Sequence, residues 1–126
     1  MPAQRSGLVP YLHYDDVVPM LEWLANAFGF VEMQRWPDEQ GVVRNAEMIV
    51  GDTEIWLDGS PGWWETRGGK PNTWVGVWVD DVDAMYERVK AAGVEPKTEP
   101  EDKPYGVRTF NVEDPGGYTW GIMRRI

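Results

Sequence analysis

Cysteine is absent from the 126 residues. The chain therefore has no disulfides, no thiolate metal sites and no cysteine nucleophile, which suits a reducing cytosol. Basic residues are outnumbered, 12 against 21 acidic, giving a formal net charge of -9 and a pI near 4.5. That balance opposes nucleic-acid phosphates and anionic lipid surfaces, and weakly favours a cationic ligand. No apolar run approaches the roughly 20 residues of a membrane helix, and the opening "MPAQRSG" lacks the apolar stretch of a secretion signal. The expectation is a soluble, cytoplasmic protein with neither nucleic acid nor membrane as partner. Also missing are the Gly-x-Ser-x-Gly elbow, the Walker loop, the dinucleotide fingerprint and the His-Glu-x-x-His helix. "RGGK" at 67 to 70 lacks the strand and helix that a phosphate loop requires.

What is present in excess is tryptophan, eight residues of it. Its large, rigid, flat surface suits a planar ligand or an interface as well as a core. The length fits one domain, 1-126, able to bury a core without staples. "GLVPYLHYDD" alternates as a strand, and "VVPMLEWLANAFGF" places Val17, Met20, Leu21, Leu24 and Phe28 at helical spacing before the Gly29 stop. "FVEMQRW", "VVRNAEMIVG" and "TEIWLDG" read as three strands separated by turns. After a Gly- and Pro-rich loop at 59-72 the order restarts. "TWVGVWVDD" is a strand and "VDAMYERVKAAG" a helix; "VEPKTEP" is extended, and "YGVRTFNVED" and "YTWGIMRR" are strands. The fold class is α+β, with one βαβββ module at about 7-58 and another at about 73-125.

The halves coincide at an offset of 65: Asp15/Asp80, Asp16/Asp81, Val17/Val82, Met20/Met85, Glu22/Glu87, Ala27/Ala92 and Gly51/Gly116. The shared "DDV" has a simple cause, because Asp caps a helix start and suits the positive end of its dipole. This is an internal duplication. In "NTWVGVWVDDVD" the strand period sets Val75, Val77 and Val79 on one face, and Trp74, Gly76 and Trp78 on the other.

Two such modules, with "VPYLHYDDVVPMLEWLANAFGF" opening the first and "YGVRTFNVEDPGGYTW" closing the second, resemble the vicinal oxygen chelate superfamily. This superfamily spans glyoxalases, extradiol dioxygenases and fosfomycin and bleomycin resistance proteins; the nearest likeness is to its PhnB-like, bleomycin-resistance-like branch. The resemblance implies curved mixed sheets enclosing a cavity, commonly completed in a homodimer. It implies no single reaction, because members include metal-dependent enzymes and metal-free drug-sequestering proteins.

Metal-dependent members carry His or Glu ligands on the first and last strands of each module. Mapped here, those positions hold Val9, Trp56, Trp74 and Gly121, none with a donor side chain suited to a divalent ion. No metal and no cofactor are therefore expected. On the same mapping Trp56 and Trp74 point inward, joined by Trp78, while Trp120 turns to the helix-packed side. The inward tryptophans either fill a collapsed interior or form an aromatic wall, and Gly121 and Gly76 would leave room opposite it.

The candidate ligand-binding residues are Trp56, Trp74, Trp78, His13, Tyr11, Glu47, Trp63, Trp64, Tyr105 and Gly121. His13, the only histidine, shares parity with Val9 and Tyr11; Asn45 and Glu47 share a strand face. Trp63, Trp64 and Tyr105 sit on expected loops, where adjacent exposed tryptophans suggest a lid or a dimer contact. Arg108 and Asp114 are expected to be structural, the arginine bracing the Asp114 turn. The leading expectation is a metal-free protein working as a homodimer and sequestering a small, planar aromatic ligand in a tryptophan-lined cavity, with cationic and neutral ligands both left open. The alternative is a lyase, isomerase or dioxygenase with a displaced metal, or acid/base chemistry around His13, Glu47, Asp58 and Asp80. A third reading makes the tryptophans core and interface only.

Overall fold

The computed structural model describes residues 7–126; most of the stretch behind the missing-signal expectation, 1–6, lies outside the described residues. Strand β1 (Tyr11–Tyr14) leads into helix α1 (Val17–Phe28), followed by β2 (Val31–Pro37), β3 (Val43–Val50) and β4 (Thr53–Gly59). The second module repeats the order with β5 (Trp74–Trp78), α2 (Val82–Ala91), β6 (Glu101–Lys103), β7 (Val107–Glu113) and β8 (Thr119–Arg125). Each helix begins on the second Asp of its "DDV": Asp16 accepts from the Val18 N–H at 3.3 Å and Asp81 from that of Ala84 at 3.0 Å. Gly29 closes α1 in the left-handed conformation, where a Cβ is costly.

The two four-stranded sheets run β1-β4-β3-β2 and β5-β8-β7-β6, with β1/β4 and β5/β8 parallel and the rest antiparallel. The duplication reaches the register itself. Tyr11 pairs with Trp56 and Leu12 with Leu57; 65 residues on, Gly76 pairs with Gly121 and Val77 with Ile122. Only β7 slips, since Ala46 opposite Leu57 matches Phe110 opposite Ile122, an offset of 64. One expectation is corrected here. The second strand of the second module is Glu101–Lys103 rather than "VEPKTEP", whose Pro96 and Pro100 have no N–H to donate to a ladder.

One face of each sheet packs on the helices, and both modules share a single apolar core. Trp120 is fully buried there, with Phe28 and Phe30 at centroid distances of 5.5 and 5.6 Å. Among the described residues the opposite faces are left open apart from Trp63, which stacks on His13 at the edge of the first, so the sheets do not close around a cavity within one copy. Among the described residues no helix is long and apolar enough to cross a membrane.

Asp114 joins the modules. Its buried carboxylate accepts from the Tyr14 hydroxyl at 2.6 Å, the Trp120 indole N–H at 2.9 Å, and the Gly116 and Tyr118 backbone N–H groups at 2.9 and 3.1 Å. Burial holds this carboxyl above the ordinary aspartate value despite those four donors. The stability linked to it is therefore full below the ordinary aspartate range and is lost as pH rises through the raised value. Arg108 does not brace this turn. It instead bridges Asp83 on α2 and Asp102 on β6, at 2.9 Å each. Removing the carboxylate with Asp114→Ala strands two buried side-chain donors, and should cost about 3 kcal/mol or more. Tyr14→Phe removes one bond of the four and should cost about 1 kcal/mol. Urea unfolding of the two variants measures both.

Candidate functional site

On the open face of the first sheet, side chains stand in two cross-strand rows. One row is Trp36, Asn45, Asp58 and His13; the next is Gln34, Glu47, Trp56 and Tyr11. Diagonal hydrogen bonds lace them: the Tyr11 hydroxyl donates to Asn45 Oδ1 at 2.5 Å, and the Trp36 indole N–H to Glu47 Oε2 at 2.9 Å. Tyr11 and Trp56 meet edge to face at 6.0 Å. Together with Trp36, Asn45 and Glu47 they line a pocket of about 360 Å³. Burial, helped by the nearby Asp58 carboxylate, raises the Tyr11 phenol above its ordinary value, so it stays a neutral donor.

His13 sits beside this pocket. Its Nδ1 lies 3.1 Å from Asp58 Oδ2, and its ring stacks on Trp63 at 3.8 Å with a 9° tilt. The other face of Trp63 carries the Arg67 guanidinium at 3.5 Å, so the indole is sandwiched. The 59–72 loop is thus ordered, with a 3₁₀ turn at Glu65–Arg67. Neither of its tryptophans forms an exposed patch, which corrects that expectation. Trp64 packs on the core and donates its indole N–H to the His13 carbonyl at 2.9 Å.

The second sheet offers a different surface at the same addresses. Trp74, 50% exposed, lays its indole across the Gly76–Gly121 pair and donates to Asn111 Oδ1 at 3.3 Å. The room that the two glycines leave is therefore taken by Trp74 itself, since a Cβ on Gly121 would collide with the ring. Trp78, 54% exposed, carries the Arg125 guanidinium at 4.7 Å. Trp56 and Trp74 are consequently neither a packed interior nor the walls of a closed chamber; each lies on an open sheet face.

The sequence-derived candidates thus separate. Tyr11, Glu47, Trp56 and His13 gather on the first face, Trp74, Trp78 and Gly121 on the second, while Tyr105 stands 72% exposed in the β6–β7 turn. Trp36 escaped sequence reasoning for a definite reason. The register shift between Glu32 and Gln34 sets Trp36 opposite Asn45; unbroken pairing would set it opposite Arg44, on the other face. Asn111 escaped because β7 departs from the repeat offset by one residue. At the four positions mapped for a metal, the side chains of Val9, Trp56, Trp74 and Gly121 present no suitable donor. Nor do three His, Asp or Glu side chains converge elsewhere among the described residues. This donor set does not fit a divalent ion.

A family model described as the Glyoxalase/Bleomycin resistance protein/Dioxygenase superfamily matches residues 11–122. The uncharacterized protein Mb0911c of Mycobacterium bovis is 31% identical over 130 residues, covering 97% of this chain and 85% of its own. Among solved structures, TioX from Micromonospora sp. ML1 is 33% identical with a TM-score of 0.81, covering 97% of this chain and 100% of that one. A bleomycin-binding protein complexed with bleomycin has a TM-score of 0.74 at 18% identity, covering 97% of this chain and 100% of its own, a likeness of fold alone.

The seating of Trp74 on glycine is testable. Gly121→Ala should lift the indole from the sheet, break its bond to Asn111 and cost about 1–2 kcal/mol. Near-UV circular dichroism and urea unfolding report the change. In a Trp74→Ala background the same substitution should cost much less, giving a double-mutant coupling of about 1 kcal/mol.

Proposed function

The chain belongs to the Glyoxalase/Bleomycin resistance protein/Dioxygenase superfamily, and within it we propose a cytoplasmic, metal-free binding protein that sequesters a small planar aromatic ligand. The observation that carries this reading is Trp74. Its indole lies against two glycines with its outer face bare, at an address where the resemblance places a metal ligand. A ring held flat on a sheet offers stacking and no coordination. That a protein of the same fold holds bleomycin agrees with a binding role.

The complete site, on this reading, is built by two copies. Trp36 and Trp56 on the first face and Trp74 and Trp78 on the second are between 40% and 54% exposed, which leaves aromatic surface on both faces for a partner to cover. A two-fold axis that lays the second face of one copy over the first face of its partner covers both surfaces twice. Each ligand is then sandwiched between Trp74 and Trp78 from one copy and Tyr11 and Trp56 from the other. Acid/base catalysis is the second reading, and the His13–Asp58 contact favours it. Against it, one face of that imidazole is already covered by Trp63.

Acridine, uncharged at mildly alkaline pH, is a suitable planar probe. It should quench the tryptophan emission saturably and raise the melting temperature, and Trp74→Ala should weaken binding about three- to tenfold. The absence of both quenching and thermal shift across a panel of planar aromatics would overturn the reading. Light scattering coupled to size exclusion should give twice the 14.4 kDa chain mass; a monomer at micromolar concentration would rule out the two-copy site.

A further inference from the structure

The two open faces share addresses but not chemistry, and the difference identifies one part of the ligand. In the first module the row between the aromatic ends holds Glu47, opposite Trp56; in the second, the matching residue is the neutral Asn111, opposite Gly121. We propose that the pocket walled by Trp36, Tyr11 and Trp56 and floored by Glu47 is a cage for an organic cation of the alkylammonium class. The inference rests on the small-molecule-binding reading above and adds the chemistry of one end of that ligand.

Five observations support it. The walls are ring faces and edges, with Tyr11 and Trp56 at 89° to each other and Trp36 fixed by its bond to Glu47. Aromatic walls attract a positive charge through their quadrupole, but cannot replace the tight hydration shell of a metal ion or a primary ammonium. They therefore select a weakly hydrated, alkylated cation. Glu47 spends only one oxygen on Trp36, and among the described residues its other oxygen has no protein donor. Among the described residues no lysine or arginine lines the pocket, so no cationic side chain there pairs with that carboxylate. Its volume, about 360 Å³, lies in the range of small-molecule sites, about 300–1,000 Å³. The acidic charge of the whole chain, -9, draws such a ligand in.

The test uses choline and its neutral carbon isostere, dimethylbutanol, titrated into the full chain while the indole N–H resonances are followed by NMR. Choline should shift the Trp36 and Trp56 signals and bind about tenfold more tightly than the isostere. Glu47→Gln keeps an oxygen for the Trp36 N–H and leaves the aromatic walls, and should reduce that preference about three- to fivefold. Trp36→Leu, which removes a wall and leaves the carboxylate, should weaken choline several-fold. Equal binding of the two probes, or a preference unmoved by Glu47→Gln, overturns the cage. Acridine in parallel separates the two claims. Acridine binding without choline preference sinks the cage and leaves the aromatic platform; choline preference without acridine binding upholds the cage and removes the planar-ligand reading.

Discussion

The buried Asp114 carboxylate is the interaction on which the arrangement of the two modules turns. It takes the Tyr14 hydroxyl from the first module and the Trp120 indole from the second, and so fixes which sheet faces look inward. Trp120 held this way lies against Phe28 and Phe30, and the helix-facing sides of both sheets merge into one core. The same bond also positions the candidate site at one remove. Tyr118, adjacent to the turn that Asp114 closes, accepts from the His13 backbone N–H at 2.7 Å, and Trp64 donates to the His13 carbonyl. The strand that carries Tyr11 and His13, at the edge of its sheet, is thus located by polar contacts to its own backbone.

A duplicated scaffold with one face per module unpaired is free to diverge where packing does not constrain it. The inward rows show little divergence: Leu12 and Leu57 face Val77 and Ile122 across the repeat, apolar for apolar. The open rows share almost nothing. Tyr11 becomes Gly76, Trp56 becomes Gly121, His13 becomes Trp78 and Asp58 becomes Met123. Core positions must conserve volume and apolarity, whereas exposed positions answer only to what comes to rest on them. Two equal faces would suit two equal ligands; two unlike faces suit the two ends or two sides of one.

Much of the fold was legible because its causes are local. Helix spacing, the paired "DDV" caps and Gly29 fix both helices, and the 65-residue offset fixes the repeat before any contact is known. Strand parity also placed Trp74 and Trp78 opposite the buried Val77. What was illegible depends on register. The β-bulge that turns Trp36 to the open face leaves no residue signature, and the one-residue slip of β7 that brings Asn111 under Trp74 lies inside an otherwise constant repeat. The conformation of the loop was hidden for another reason. Trp63 and Trp64 look alike in sequence, yet one stacks on His13 and the other anchors to the core, a choice settled by the carbonyls and rings they happen to meet.

On the proposed binding role, tryptophan and glycine at addresses where the resemblance places metal ligands also set how a ligand is held. A coordinated metal gathers several strong bonds at one point, so one module can contribute a few atoms and still bind tightly. Stacking is weak per contact, about 0.5–1.5 kcal/mol beyond the area it buries. Micromolar affinity needs about 8 kcal/mol net, and association costs several kcal/mol before any gain appears. Burial contributes about 25 cal/mol per Å² of apolar surface, so a flat molecule covered on one side gains roughly half of what it would gain covered on both. A single open sheet such as the one bearing Trp74 is too little by this measure. An aromatic site of this kind therefore requires a second wall. Because each chain leaves its two unlike faces pointing away from its own core, the proposed two-copy site is the arrangement that supplies such a wall.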